Sequence, residues 1–544
     1  MDFRLSLGWI DLGIIIVFLV SMVTLGCWVG WKQRKKAEGS DFFLAGRSLL
    51  WPVIGLSLFS TNISAIELVS LAEEGYKRGL VYGNLEWMGG LSLIVLAVFF
   101  VPFYIRSRVT TLPDFLFKRY GNSCRVFQVV IAIFTAIFLH TGFALFAGAK
   151  VMQGLFNMPL IISVTIILGL TGLYCIVGGL KAVVLTDSMA TIVLIAGSIV
   201  MTVICFEHIG GWDGLLASVE PVKFHMLRSS KDVQDMSWYS VLLGFPIIGI
   251  WYFCTDQTIA QRVLGAKDEN HARIGVIFTG FIKFLPVFIF LMPGLILFGL
   301  FSKGQSMLPT FPLNPDGSED TAQAYSYMIA NMLPVGFKGI VAAALLAALM
   351  STLSSALNSI ATVFCYDIYK PIRPQADDRE LIRVGRITTV IAMVLAILWA
   401  PWITKFESIL EGNTMMICYI APAITAVYLA GVLWKGASAK GAFITLCAGT
   451  LMGGVVFILD FALGKWQYSF MITGFWMFIG CVIILVLASR AFPQVLTDES
   501  KRLVWKNPLE ALQETGWKGF GNYKFQSVLL LVVMVLLYVI FQMI

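Results

Sequence analysis

Two stretches of otherwise apolar sequence carry oxygen-bearing side chains at spacings that could hold a ligand. The first runs from Ser57 to Glu67 and places six polar side chains in eleven residues: Ser57, Ser60, Thr61, Asn62, Ser64 and Glu67. The second, Ala347 to Asn358, sets Ser351, Ser355 and Asn358 on one helical stripe, with Thr352 and Ser354 alongside. Hydroxyl and carbonyl oxygens are weak, hard ligands, suited to an alkali cation that has to leave again. A serine-rich face can equally be glue between helices. Asp187 lies in a third apolar stretch, where a lone carboxylate needs a cation or a proton. None of this has the Ser/His/Asp or metal-ligand spacing that bond-making chemistry requires.

The elements that carry these residues follow from composition. Of 544 residues, 58% are hydrophobic and 13% charged, against roughly a quarter charged in soluble domains. With a mean hydropathy of +0.84, too much apolar surface would face water. Soluble enzymes, disulfide scaffolds, disordered chains and nucleic-acid modules are excluded. The nine cysteines lie singly, most in apolar stretches, and read as small packing residues. An all-α polytopic membrane protein remains.

At about 20 apolar residues per crossing, fourteen spans are expected: 9–31, 50–75, 82–105, 125–155, 158–180, 182–208, 238–256, 273–302, 335–368, 383–403, 407–432, 439–462, 469–489 and 525–544. A short amphipathic helix near 321–333 precedes the ninth. The first span has no small-residue cleavage site and reads as a retained helix. Residues 1–544 form one transmembrane domain: an extra first helix at 9–31, a core over about 50–432, and C-terminal helices over about 439–544. Lysine and arginine concentrate in the loops 32–49, 104–125, 257–273, 367–386 and 490–524, which are therefore placed in the cytoplasm, with both termini outside. The net charge of +7 is then a matter of topology, with no nucleic-acid partner implied.

Polar groups within spans are costly and face a bundle interior or a pathway by default. Packing explains Ser57 and Ser64 but not Asn62 and Glu67 together. The segment fits a helix that unwinds so that its carbonyls line a cavity. Gly244, Pro246 and Gly249 repeat the theme in the seventh span, five spans later, the spacing of an inverted five-helix repeat. His140 and Asp460 read as satisfied packing or lipid-edge residues.

Asp41-Phe-Phe-Leu-Ala-Gly-Arg-Ser-Leu49 resembles the signature of the sodium/solute symporter family. So do Asn62-Ile63, Thr111-Leu-Pro-Asp114, Gly178-Gly-Leu through Leu185-Thr-Asp187, Leu333-Pro-Val-Gly-Phe-Lys-Gly339, and Asn358-Ser through Tyr366-Asp-Ile-Tyr-Lys370. These run in order over roughly 40–440. Glu86-Trp87, Trp251-Tyr-Phe-Cys-Thr-Asp-Gln257, Gln261-Arg262 and Lys283 are most similar to the sodium/glucose-type members.

The resemblance implies a leucine-transporter-like fold of five plus five inverted helices, with one helix in front and three behind. It implies sodium as coupling ion and no organic cofactor. The family's common sodium site would fall on the backbone carbonyls of Ser60, Ile63 and Ala348 and the hydroxyls of Ser351 and Thr352. Its second site, in members coupling two ions, would fall on Thr61, Asp187, Ser354 and Ser355. The solute site would include Asn62, Glu67, Glu86, Lys283 and the gate tyrosine Tyr252, with Thr414 where a glutamine is familiar. Carboxylates and amides engage adjacent sugar hydroxyls, and an aromatic ring packs on a pyranose face. Lys283 can instead form a structural ion pair with Glu86 or Glu67. Glu67, Phe253, Gly249 and Leu85 depart from the sugar-transporting pattern, as suits a different monosaccharide or a polyol.

The expectation is a symporter of the plasma membrane that imports a monosaccharide-like solute by alternating access, with two sodium ions per solute. Its partners are a small polar solute and the lipid bilayer, and no obligatory protein partner is evident. A polyol symporter, an uncoupled facilitator or channel, a membrane-embedded sensor and a membrane enzyme are the alternatives.

Overall fold

The computed structural model describes residues 8–33, 39–63, 65–156, 159–233, 235–302, 308–313, 317–405 and 409–544. Ser64 and the expected span starts at 158 and 407 lie outside the described residues. The described chain is helical, and 12 helices are long and apolar enough to cross a membrane, or 13 if one bent pair is a single span. The expected spans 158–180 and 182–208 form one helix, Leu160–Ile209, interrupted at Gly179 (φ 60°, ψ −162°). That conformation is essentially reserved for glycine, and a Cβ there would lie 2.5 Å from the Phe42 carbonyl oxygen. The amphipathic helix appears as Ala324–Met332.

The second span breaks where polar side chains crowd it. Trp51–Asn62 and Ile66–Arg78 meet at 62°, and Ile63 leaves helical geometry at ψ 87°. In the seventh span the interruption is displaced from the expected Gly244–Gly249. Helix Trp238–Ile250 runs through Pro246 and continues as a π-helical turn, Trp251–Thr255. The chain becomes extended only at Asp256 (ψ 125°). The glycines serve packing: a Cβ on Gly244 would lie 2.6 Å from the Met471 carbonyl oxygen, and one on Gly249 2.2 Å from Ser92 Oγ. Small residues allow such close helix approach.

The region expected as a cytoplasmic loop, 257–273, is also different. Gln257–Leu264 is a helix with every residue buried, and Glu269–Ile282 follows it. Arg262 and Arg273 are fully buried, so these two charges belong to the interior and not to a solvated loop.

The basic segments do share one face. Arg106 bridges Glu269 (2.8 Å) and Glu514 (2.6 Å), Arg125 pairs with Asp367 at 2.9 Å, and Leu49 bridges to Ala266. On the first helix, Trp9–Gln33, Asp11 is fully buried. Its Oδ1 accepts the amides of Gly336 (2.8 Å) and Gly339 (2.9 Å) at the start of helix Phe337–Val363. Carboxylates are favoured at that positive helix end. The long serine-bearing helix is therefore anchored at one end by a residue of the first helix.

Candidate ion and solute site

Trp51–Asn62 directs its C-terminal end, the negative end of its dipole, at Phe337–Val363. Ser60 Oγ donates to Ser351 Oγ at 3.0 Å, and Thr352 Oγ1 lies 3.4 Å from the Thr61 and Ala348 carbonyl oxygens. All of these residues are buried. A helix ending at Asn62 leaves its last carbonyls without intrahelical partners. Of these, the Thr61 carbonyl faces the Thr352 hydroxyl, one residue from the Ser60–Ser351 hydroxyl pair.

Of the expected second set, Thr61 meets Ser355 and Arg262 links Ser355 to Asp187, whereas Ser354 bonds within its own helix. Thr61 Oγ1 is 3.1 Å from Ser355 Oγ, Ser57 Oγ donates to Asp187 Oδ2 at 3.0 Å, and Ser354 Oγ donates to the Ser351 carbonyl at 2.9 Å. Asp187 is not the uncompensated charge that its sequence context implied. Arg262 reaches it at 3.4 Å with both side chains fully buried, donates to Ser355 Oγ, and places Nε 3.3 Å from Ser57 Oγ. Neutralisation of Asp187 thus needs no sodium in this arrangement.

On the other side of the break, Lys283 donates to Asn62 Oδ1 and, at 2.7 Å, to Glu86 Oε2. Asn62 Nδ2 lies 3.4 Å from Tyr252 OH. Lys283 follows helix Glu269–Ile282, Glu86 lies in Asn84–Trp87, and Tyr252 sits in the π-helical turn. Space for the ammonium stem comes from Gly89, whose added Cβ would lie 2.5 Å from Lys283 Cε. Glu67 is half-buried in the first turn of the helix that follows the break. Thr414 is buried on helix Ile409–Leu433 and joins none of these hydrogen bonds.

Of the two readings for His140, satisfied packing is the one that holds. Its Nε2 is 2.9 Å from Asp256 Oδ2, and its ring lies 6.0 Å from that of Tyr252. It therefore lies beside Tyr252 and is no lipid-edge residue. Asp460 accepts from Tyr419 OH at 2.5 Å, a satisfied pair away from the site.

The sodium:solute symporter family model matches residues 42–449. The chain is 32% identical over 489 residues to the sodium/glucose cotransporter 4 of Danio rerio, covering 85% of this chain and 73% of that one. It is 33% identical over 480 residues to the sodium/myo-inositol cotransporter 2 of Sus scrofa, covering 83% and 70%. Its fold is similar to that of a Na+-coupled sialic acid symporter in a substrate-bound outward-open state: TM-score 0.78 at 20% identity, over 90% of this chain and 99% of that one. MHP1, a nucleobase-cation-symport-1 family transporter, gives a TM-score of 0.51 at 14% identity over 84% and 96%. With a family model spanning most of its length and these cotransporters as relatives, the chain belongs to the sodium:solute symporter family, a family of membrane transporters and not of enzymes.

Proposed function

We propose that the protein imports a neutral monosaccharide or a polyol with sodium, by alternating access. The observation that carries this reading is the meeting of two sites at one helix break. Asn62, the last residue of Trp51–Asn62, takes part in the Lys283–Glu86 cluster. Its neighbours Ser60 and Thr61 face Ser351 and Thr352. A cation bound at Ser60, Ile63, Ala348, Ser351 and Thr352 fixes the geometry of Asn62. That gives sodium a direct hold on the solute site, and each ligand then favours one state over another, which coupling requires.

At the solute site, Lys283 and Glu86 neutralise each other, so a neutral, hydroxyl-rich solute fits better than an anion. Glu86, Asn62 and Glu67 supply acceptors, Lys283 donors, and Tyr252 an apolar ring face. Glucose and myo-inositol cotransporters among the relatives support this class. Thr414 lines the solute path from the helix Ile409–Leu433. The chain crosses the membrane fourteen times, with Leu160–Ile209 counted as two spans parted at Gly179. It forms one domain, with a five-plus-five inverted repeat between the first helix and the last three. Both termini lie outside the plasma membrane and the basic face inside.

The test is uptake of radiolabelled sugars, polyols and carboxylates into proteoliposomes with and without a sodium gradient. A neutral polyhydroxy solute accumulates only with the gradient. A carboxylate that outcompetes every neutral solute overturns the solute class, and flux undiminished without sodium overturns coupling.

A further inference from the structure

We propose that Arg262 is a tethered cation that occupies the Asp187 position while helix Gln257–Leu264 is packed in place, and yields it to a free sodium ion when that helix moves. This rests on the alternating-access reading above.

The guanidinium is fitted to the position a free ion would use. It is fully buried, it donates to Ser355 Oγ, and it lies 3.3 Å from Ser57 Oγ and 3.4 Å from Asp187 Oδ2. It also donates to the Thr258 carbonyl within its own helix. Asp187 Oδ1 is buried with no hydrogen-bond partner among the described residues, so half of the carboxylate remains unused. Ser57 Oγ donates to the other carboxylate oxygen, Oδ2, at 3.0 Å, and Arg262 links that oxygen to Ser355, whose Oγ lies 3.1 Å from Thr61 Oγ1. Carboxylate, hydroxyl and carbonyl oxygens make a set for a small hard cation.

The carrier of the arginine is a short buried helix of its own. Gln257–Leu264 is joined to the seventh span through extended backbone at Asp256. It is held by side-chain contacts that can be exchanged. Gln257 Oε1 accepts the Leu112 amide at 2.8 Å, and Gln261 Nε2 donates to the Phe43 carbonyl (2.9 Å) and to Thr362 (2.6 Å). When the helix swings out, the guanidinium leaves with it. A buried carboxylate left alone is strongly disfavoured, so a sodium ion replaces the lost charge. Arginine and sodium are then alternative occupants, and the second ion is present in one half of the cycle only.

The test counts 22Na+ bound at saturation by purified full-length protein. Arg262→Ala binds one more ion than wild type, and Arg262→Ala/Asp187→Asn loses it again. The double variant buries no net charge and folds irrespective of sodium. Where the single variant folds poorly, Arg262→Gln gives the same comparison. Equal counts in the Arg262 variant and its Asp187→Asn double overturn the proposal. The comparison is between variants at one position and needs no solute. Failure of sodium-driven uptake in wild type would therefore strike the transport reading alone.

Discussion

Lys283 Nζ lies 2.7 Å from Glu86 Oε2, with the two side chains 2% and 4% exposed, and the same ammonium holds Asn62 at the end of the broken second span. An ion pair this deep is held by its partners, because removing one leaves the other as a buried unpaired charge. Lys283→Ala should therefore cost about 3–5 kcal/mol of stability, and a double neutral variant with Glu86→Gln markedly less. A thermal-unfolding series checks this. In uptake, Glu86→Gln should raise the apparent solute constant strongly while leaving sodium-dependent conformational change in place. Unchanged solute affinity would make the pair purely structural.

Replacing Ser351 and Thr352 with alanine removes two hydroxyls at the proposed ion position and keeps a good helix former. Sodium affinity should fall at least about tenfold, or ~1.4 kcal/mol, with the protein still inserted and monodisperse. Sodium-titrated uptake reads this directly, and a wild-type sodium constant would remove both residues from the site.

Gly89→Ala is a finer probe of the solute site. Its Cβ would press on Lys283 Cε at 2.5 Å, and the flexible lysine can yield only by shifting its ammonium between Glu86 and Asn62. The expected result is weaker solute binding with sodium affinity nearly preserved. Equal loss of both would mean a collapsed helix contact.

On the basic face, Arg106 hydrogen bonds hold the Glu514 carboxyl below the usual carboxylate range. A lowered folded-state value means the contact contributes fully above the ordinary carboxylate range and is lost as pH falls through the lowered value. The pair is partly exposed, so its worth is about 0.2–1 kcal/mol. Hydrogen exchange across 490–522, corrected for intrinsic rate, should stay slow from neutral pH down to that range and rise below it. Glu514→Gln should show the faster exchange at neutral pH, and a variant as protected as wild type would assign the docking to other contacts.

The residues that bear chemistry were legible where one short stretch concentrates them. Ser57 to Glu67 is too polar for a lipid-facing helix, and the break does fall there. Pairings between distant spans left no such mark. Arg262 and Asp187 are 75 positions apart, and His140 and Asp256 are 116 apart. Neither pair has a periodicity or a motif that joins it. Arg262 moreover follows an apolar span, where a basic residue reads as a topology signal, and only packing reveals that its helix is buried. Gly244 and Gly249 misled for the opposite reason. Glycine marks backbone freedom and close approach alike, and here the demand is close approach to Met471 and Ser92.

The carboxylate of Asp11 has a consequence for how chains of this architecture can vary. It meets two amides at the head of the helix that carries Ser351 to Ser355. Further along the first helix, Gly30 sits so close to Val177 and Gly178 that a Cβ would lie 2.5 Å from the Val177 carbonyl oxygen. The first helix is thus clasped at two points. Without Asp11, the amides of Gly336 and Gly339 would need another acceptor, or the head of helix Phe337–Val363 would fray. The packing of the first helix and the placement of Ser351 to Ser355 are, in this molecule, tied together.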